Sequence, residues 1–206
     1  MGGGQVSDPN FLPNGTIITV ETDGSGQFTK LSDAINYLTG KWSNGVVIIK
    51  LGEGDFVETE QVTIDGRRFN LGHLVLQGIS KSSSVLNVSQ LTSDKPNAIL
   101  ILYCNNLSIT TMAIQTSQVD VSTTGNVIRL SRSFFNMNDC LVNRAIKVGN
   151  GVALGEMSTG YLDTSNISNC NNGVVCNYGA IVTTKNMTYT NITNETISTK
   201  GLIYKL

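Results

Sequence analysis

Short runs of apolar residues alternate with polar ones along most of this chain, and one stretch follows a different period. Four apolar residues between positions 31 and 38 recur at the spacing of one helix face, which predicts an amphipathic helix over residues 31–39. Thr29 or Ser32 is placed to cap its start, and Gly40 to end it. The other runs predict strands, at residues 16–20, 46–51, 61–64, 73–77, 85–88, 98–102, 107–109, 127–130 and 146–148.

The last third of the chain repeats itself. Residues 163–170 are echoed by residues 188–195, and residues 146–154 are echoed by residues 174–182 at a slightly larger offset. Each unit contains short strands, a glycine turn and an Asn at a matching place, with no helix between them. A strand-only period of this length is typical of a solenoid, whose units bury their apolar faces only by stacking. We therefore predict an all-β fold, a right-handed parallel β-helix of six to seven coils with the helix as its N-terminal cap.

The offsets also predict which residues stack on one another. They align Asp163 with Ser133 and Thr188, so that no carboxylate lies directly above or below it, and they place Cys140 and Cys170 at equivalent positions. Asparagines at turns are interpreted as an internal ladder whose side-chain amides satisfy backbone groups at the bends. Its predicted members are Asn106, Asn138, Asn169 and Asn194.

Length and composition narrow the function. The chain of 206 residues is expected to be one domain, with a lead-in at residues 1–15, a cap at 16–45 and coils at 46–206. Charged residues make up 14% and the net charge is -1, which disfavours nucleic acid and anionic membranes as partners. No apolar run is long enough for a membrane span, so no membrane insertion is expected. A surface rich in Asn, Ser, Thr and Gly suits uncharged, hydroxyl-rich ligands.

The four cysteines are interpreted as small buried hydrophobes in preference to disulfides, since nothing in the sequence indicates secretion. No metal site and no cofactor are predicted, because His73 is the only histidine and no paired Cys-x-x-Cys occurs.

Two segments resemble the opening of pectin methylesterases. Residues 19–38 contain the Asp-Gly-Ser-Gly turn, Phe28 and the Ala-Ile of the helix, and residues 54–64 place Phe56 where that family has an aromatic residue. Residues 74–78 are similar to the strand and glycine that follow. The resemblance lies within positions 19–78 and implies the wider pectin-lyase-like superfamily of right-handed β-helices. The Gly-x-x-Asp-Phe-Ile-Phe-Gly strand and the later Arg-x-Trp of the esterases are absent, so esterase activity is not carried over.

The Asn- and Thr-rich coils resemble those of bacteriophage tail fibres and tailspikes within this superfamily. That resemblance implies a homotrimer in the virion that binds bacterial surface polysaccharide. Three functions stay open: a receptor-binding domain that does not cleave glycan, a polysaccharide lyase or glycoside hydrolase, and a structural spacer. Hydrolysis would need two carboxylates facing one groove. A lyase would need carboxylates near basic residues, and Arg129, Arg132, Arg144 and Lys147 are the candidates near Asp139.

Glycan-binding residues are predicted in the regular coils near the C-terminal end. Tyr161, Tyr178 and Tyr189 would supply aromatic platforms, and Asp163 a hydrogen-bond acceptor. Alternation directs residues 174, 176, 180 and 182 inward and leaves residues 175 and 181 outward. Outward apolar residues favour a subunit interface. We therefore expect the site in a groove between subunits, with Asp163 and Tyr189 at its rim, and Trp42 is expected to pack the cap.

Overall fold

The computed structural model describes residues 8–117 and 125–206. Strand β1 (Thr16–Val20) and helix α1 (Leu31–Tyr37) come first, and six coils of three strands each follow. The first three coils consist of β2 (Trp42–Leu51), β3 (Gly54–Glu58), β4 (Val62–Asp65); β5 (Asn70–Gln77), β6 (Ser84–Val88), β7 (Asn97–Leu102); and β8 (Leu107–Thr110), β9 (Ala113–Thr116), β10 (Asn126–Ser131). A short 3₁₀ turn, Gly66–Arg68, lies between β4 and β5.

The last three coils are more uniform in length. They consist of β11 (Phe134–Asn138), β12 (Leu141–Arg144), β13 (Asn150–Gly155); β14 (Thr159–Asp163), β15 (Asn166–Ser168), β16 (Asn172–Asn177); and β17 (Ile181–Lys185), β18 (Thr188–Thr190), β19 (Asn194–Thr199). Strand β20 (Leu202–Lys205) follows them.

Corresponding strands of successive coils pair in parallel and form three sheets. The first strands of the coils, with β1 and β20 at the two ends, form sheet A, the second strands form sheet B, and the third strands form sheet C. The chain is a right-handed parallel β-helix, so the predicted fold class is confirmed. Eight of the nine predicted strands coincide with observed ones. The exception is residues 146–148, which lie in the connection between β12 and β13.

The predicted offsets are wrong for the final coils. Asn166 pairs with Thr188, and Asn172 with Asn194, so the true repeat is shorter than the echoed segments suggest. Asp163 consequently lies between Asn138 and Lys185, and not in line with Ser133 and Thr188. The echo misleads because it matches a corner with a strand. At its offset, Asn169, which has a positive φ at the corner between sheets B and C, is matched with Asn194 in β19, whereas Asn191 occupies the corresponding corner in the next coil.

Helix α1 covers the N-terminal end of the solenoid with a buried face that includes Leu31, Ala34 and Ile35. The expected caps, Thr29 and Ser32, do not cap it, since the N-cap position is Lys30 and has no side-chain bond. The backbone N and the hydroxyl of Ser32 instead each donate to the carboxylate of Glu58 at 2.9 Å. A side chain of the first coil therefore satisfies the start of the helix.

Trp42 packs on the lead-in, not on the cap helix. Its ring lies 4.5 Å from that of Phe11, and its Nε1 donates to Asp8 Oδ2 at 2.8 Å. Leu12 is buried and its backbone N donates to the carbonyl of Trp42 at 2.9 Å. The described part of the lead-in is therefore attached to the start of the first coil.

All four cysteines are free and buried, as predicted. Burial raises the pKa of the Cys104 and Cys170 thiols to about 12, which keeps both neutral. Cys140 and Cys170 are not equivalent, however. Cys140 lies at the corner between sheets A and B, where its backbone N donates to Ser165 in the next coil at 3.0 Å, whereas Cys170 lies at the corner between sheets B and C.

An internal amide ladder is present, but with different members from those predicted. At the start of sheet C, each asparagine of a first ladder donates from its Nδ2 to the side-chain amide oxygen one coil earlier, at 2.7 to 2.9 Å. The members of this first ladder are Gln61, Asn97, Asn126, Asn150, Asn172 and Asn194. A shorter ladder joins Asn143, Asn169 and Asn191. Of the predicted set, Asn194 belongs to the first ladder and Asn169 to the second.

Candidate functional site: the aromatic face of sheet A

The outward surface of sheet A carries two of the four predicted site residues. Along β14, Gly160 and Leu162 are buried and point inward, so Thr159, Tyr161 and Asp163 point outward. Neighbouring strands of a sheet lie about 4.8 Å apart, so outward residues in register form continuous columns along the solenoid. Tyr161 and Asp163 therefore belong to one surface.

Exposed aromatic and apolar side chains concentrate on this surface and on the adjoining corner between sheets C and A. One column contains Phe134, Thr159, Ile181 and Leu202, and the next contains Tyr161, Thr183 and Tyr204. We call this surface the aromatic face. Its large exposed members are Phe134 (43%), Met157 (80%), Tyr178 (63%), Ile181 (39%), Leu202 (52%) and Tyr204 (52%). A group of exposed apolar side chains on one surface is typical of an interaction site.

Uncharged polar groups border these aromatic side chains. Asn136 lies in register with Tyr161, and Asn138 with Asp163. The Asp163 carboxylate accepts hydrogen bonds from Thr164 Oγ1 at 2.9 Å and Asn186 Nδ2 at 3.3 Å. Amides, hydroxyls and one carboxylate beside aromatic rings can together bind the hydroxyl groups and the apolar faces of sugar rings.

A groove of about 470 Å³ lies at the opposite border of sheet A, at its corner with sheet B. Lys81 and Ser82, in the connection between β5 and β6, form one wall, and Leu141 and Asn166 of sheet B also line it. Lys81 reaches Asp139 two coils further along, with Nζ 2.8 Å from Oδ1. Thr164 and Asn186, the two hydrogen-bond donors to Asp163, line the groove as well, so Asp163 is located between it and the aromatic face.

Tyr178 and Tyr189 lie in different environments. Tyr178 is an exposed member of the aromatic face and lies at the corner between sheets C and A. Tyr189 is on sheet B in register with the inward Ile167, and its ring packs against the core. Burial raises the pKa of Tyr189 to about 12. Its hydroxyl has no hydrogen-bond partner among the described residues and borders a recess at the C-terminal end of the solenoid. The structure thus places Tyr161 and Asp163 on sheet A and Tyr178 at the corner of this sheet with sheet C, and it separates Tyr189 from all three.

The carboxylates and basic residues do not form the lyase arrangement considered above. As expected, no carboxylate is in register above or below Asp163. Asp139, at the same corner one coil earlier, is paired with Lys81, whereas Arg132 lies beside Glu156 at 3.7 Å and Arg144 is buried in the interior. Among the residues that the structure describes, no cluster of three His, Cys, Asp or Glu side chains could hold a metal ion.

Sequence reasoning missed several members of the aromatic face. Phe134, Met157, Leu202 and Tyr204 carry no motif. Only the correct register aligns Phe134, Leu202 and Tyr204 with Tyr161 and Ile181, and Met157 lies at the adjoining corner. The true spacing of the final coils would have grouped Ile181, Thr183 and Lys185 with Thr159, Tyr161 and Asp163. Predicted inward positions Val174, Cys176, Ala180 and Val182 are all buried, and Ile181 is exposed as predicted. Outward Val175 is only 8% exposed.

Comparison with solved structures agrees with the fold. The chain is similar to pectin methylesterase PemA from Erwinia chrysanthemi (TM-score 0.56, 15% identity), covering 84% of this chain and 56% of that one. It is similar to a pectin methylesterase in complex with a hexasaccharide (TM-score 0.54, 14% identity), covering 93% of this chain and 66% of that one. It is also similar to the pectin methylesterase from Aspergillus niger (TM-score 0.54, 14% identity), covering 93% of this chain and 84% of that one. No family model and no curated protein matches the sequence.

These likenesses define the class of the fold, a pectin-lyase-like right-handed β-helix. The chain spans less than two thirds of the length of the first two of these structures. In the part of the chain that the structure describes, no helix is long and apolar enough to cross a membrane.

Proposed function

We propose that this chain is a glycan-recognition domain of a phage tail fibre or tailspike, which adsorbs to bacterial surface polysaccharide without cleaving it. The observation that carries the proposal is the aromatic face, where Tyr161, Tyr178 and Tyr204 lie beside amides, hydroxyls and Asp163. Stacking of sugar rings on aromatic side chains needs such a surface, and the polar border supplies acceptors and donors for sugar hydroxyls. A related fold bound to a hexasaccharide, in the pectin methylesterase complex, supports an oligosaccharide ligand.

The proposed assembly is a homotrimer in the virion, with the glycan in a groove between subunits. The column of Phe134, Thr159, Ile181 and Leu202 extends over four strands, and the exposure of its three apolar members in a single chain supports burial against a second copy. Tyr161 and Asp163 would then lie at the rim of the groove. The low charge of the chain supports an uncharged ligand, and the Asn- and Thr-rich coils support the assignment to a phage fibre.

Adsorption of the purified domain to host cells tests the proposal. Tyr161→Ala, Tyr178→Ala and Asp163→Ala should each reduce adsorption at least about tenfold, the effect of losing roughly 1.4 kcal/mol of binding free energy. Tyr37→Ala is the matched control, since Tyr37 is a 41% exposed tyrosine on the cap helix, away from the face. Sedimentation should give three times the 22.1 kDa chain mass for every variant. Unchanged adsorption of all three variants, with the assembly intact, would refute the placement.

A glycan-cleaving enzyme on the same scaffold is the second candidate, because Asp139 and Asp163 belong to adjacent coils at one corner. Release of reducing ends from purified capsule or lipopolysaccharide separates it from the binding domain. The binding proposal predicts no release above that of a buffer blank. Release that Asp163→Asn abolishes while adsorption persists would instead establish the enzyme.

A further inference from the structure

The interior of the fourth coil contains a buried arginine with unpaired donors. Arg144 is at the inward end of β12, and only 1% of its surface is exposed. Its Nη1 donates to the carbonyl of Gly125 at 2.8 Å. Its Nε and Nη2 are fully buried and have no hydrogen-bond partner among the described residues. A guanidinium carries five N–H donors and stays charged in proteins, so most of its hydrogen-bonding capacity is unsatisfied at this point.

Thr116 supplies another unpaired polar group beside Arg144. It is in register with Arg144 in the preceding coil, and both side chains point inward. The hydroxyl oxygen of Thr116 is also buried, with no partner in residues 8–117 and 125–206. Three unpaired polar atoms, two of them on a cation, therefore lie on adjacent strands inside the solenoid.

Nothing in the described part of the chain neutralises this charge. No carboxylate there lies within ion-pair distance of Arg144, and the ionisable group that interacts with it electrostatically is the thiol of Cys170. Burial raises the pKa of that thiol to about 12, so it is not a thiolate near neutral pH. A buried guanidinium without a counter-charge is strongly destabilising, and its desolvation lowers the pKa of Arg144.

We propose that one small monovalent anion, chloride in the simplest case, binds in this interior position to Nε and Nη2 of Arg144 and the hydroxyl of Thr116. The anion neutralises the guanidinium and accepts hydrogen bonds from the two unpaired guanidinium nitrogens and the Thr116 hydroxyl. Gly149 leaves space for the contact between Arg144 and Gly125, since a Cβ there would lie 2.8 Å from Arg144 Nη1 and still closer to the carbonyl oxygen of Gly125. The site is independent of the glycan-binding proposal, because it lies in the core and not on the aromatic face.

Unfolding in different anions tests the site. We expect the urea midpoint of the wild-type chain to rise with chloride over about a hundredfold range, at constant ionic strength held with gluconate, because the ion binds only the folded state. Arg144→Met should remove this dependence, and Thr116→Val should weaken it. The control is Arg68→Met, which removes an equal charge from an exposed position and should keep the full chloride dependence.

Crystals of the wild-type chain soaked in bromide provide a test that needs no variant to fold. An anomalous peak within hydrogen-bond distance of Arg144 and Thr116 is expected. A chloride dependence that is absent, or equal in the wild type and Arg144→Met, would overturn the proposal, and so would soaked crystals without the peak. A peak without any chloride dependence of unfolding would indicate an adventitious ion only and would also overturn it.

Discussion

The first amide ladder should contribute most to stability where it is buried. Asn126 is 6% exposed and lies inside the ladder: its Nδ2 donates to Asn97 Oδ1 at 2.7 Å, and its Oδ1 accepts from Asn150 Nδ2 at 2.8 Å. Asn126→Ala removes both bonds, each worth about 0.5 to 1.5 kcal/mol. It also leaves Asn97 Oδ1 and one Asn150 donor unpaired, and an unsatisfied buried group costs about 1 to 3 kcal/mol. Because the part-exposed Asn150 can recruit water, we expect a total loss of about 2 to 4 kcal/mol.

Asn194→Ala is the matched control, because Asn194 is exposed at the end of the same ladder and makes one bond, to Asn172 Oδ1 at 2.9 Å. The free energy of unfolding of the Asn194→Ala variant should be lower than that of the wild type by only about 0.5 to 1 kcal/mol. Urea titrations followed by circular dichroism measure both variants. Equal losses for Asn126→Ala and Asn194→Ala, or a loss below about 1 kcal/mol for the former, would refute the view that the ladder stabilises the interior.

Two further predictions concern the cap and the single histidine. Glu58→Ala should lower the free energy of unfolding by about 2 kcal/mol, because both hydrogen bonds between Glu58 and Ser32 are lost. The control Glu60→Ala removes an exposed carboxylate and should change the free energy of unfolding by less than about 0.5 kcal/mol. Equal effects of the two substitutions would contradict this role of Glu58. Burial lowers the pKa of His73, so the unfolded chain binds its proton first and stability should fall as the pH drops below about 6.5 towards the lowered value. His73→Gln should reduce the dependence of the urea midpoint on pH between pH 5.5 and 7. An unchanged pH dependence would show that other groups cause the loss of stability.

The fold could be predicted because its signals are local. The β-branched runs and the 3.6-residue period before Leu38 each depend on a few consecutive residues, and the strand-only repeat is visible as similar short segments further along the chain. Free, buried cysteines also followed from composition. The cap bond of Glu58 could not be predicted, since it joins residues 26 positions apart and depends on how the first coil meets the helix.

The candidate site was predictable only in part, because it depends on register. Tyr161 and Asp163 were assigned to one site because both lie in the regular coils near the C-terminal end, and both are on the outward surface of sheet A. Tyr189 was misplaced relative to them, since the echo aligns it with Thr164 at the corner between sheets A and B, whereas it pairs with Ile167 within sheet B. In a β-helix, a small error in the length of the repeat moves a side chain to a different part of the coil. The side chains that form one surface column can therefore be assigned only from the strand pairing itself.

The pairing register also has a consequence for how the chain folds. Strands that pair are never far apart in sequence: Val174 pairs with Thr196 in the short final coils, and Val62 pairs with Ile99 across a longer connection. Because the entropy of loop closure grows only with the logarithm of loop length, closing the longer connection costs about 0.5 kcal/mol more than closing the shorter one. Each new coil therefore meets nearly the same kinetic barrier wherever it forms. We expect folding to start at any two neighbouring coils and to extend in both directions, so that lengthening the solenoid would not increase its contact order per coil.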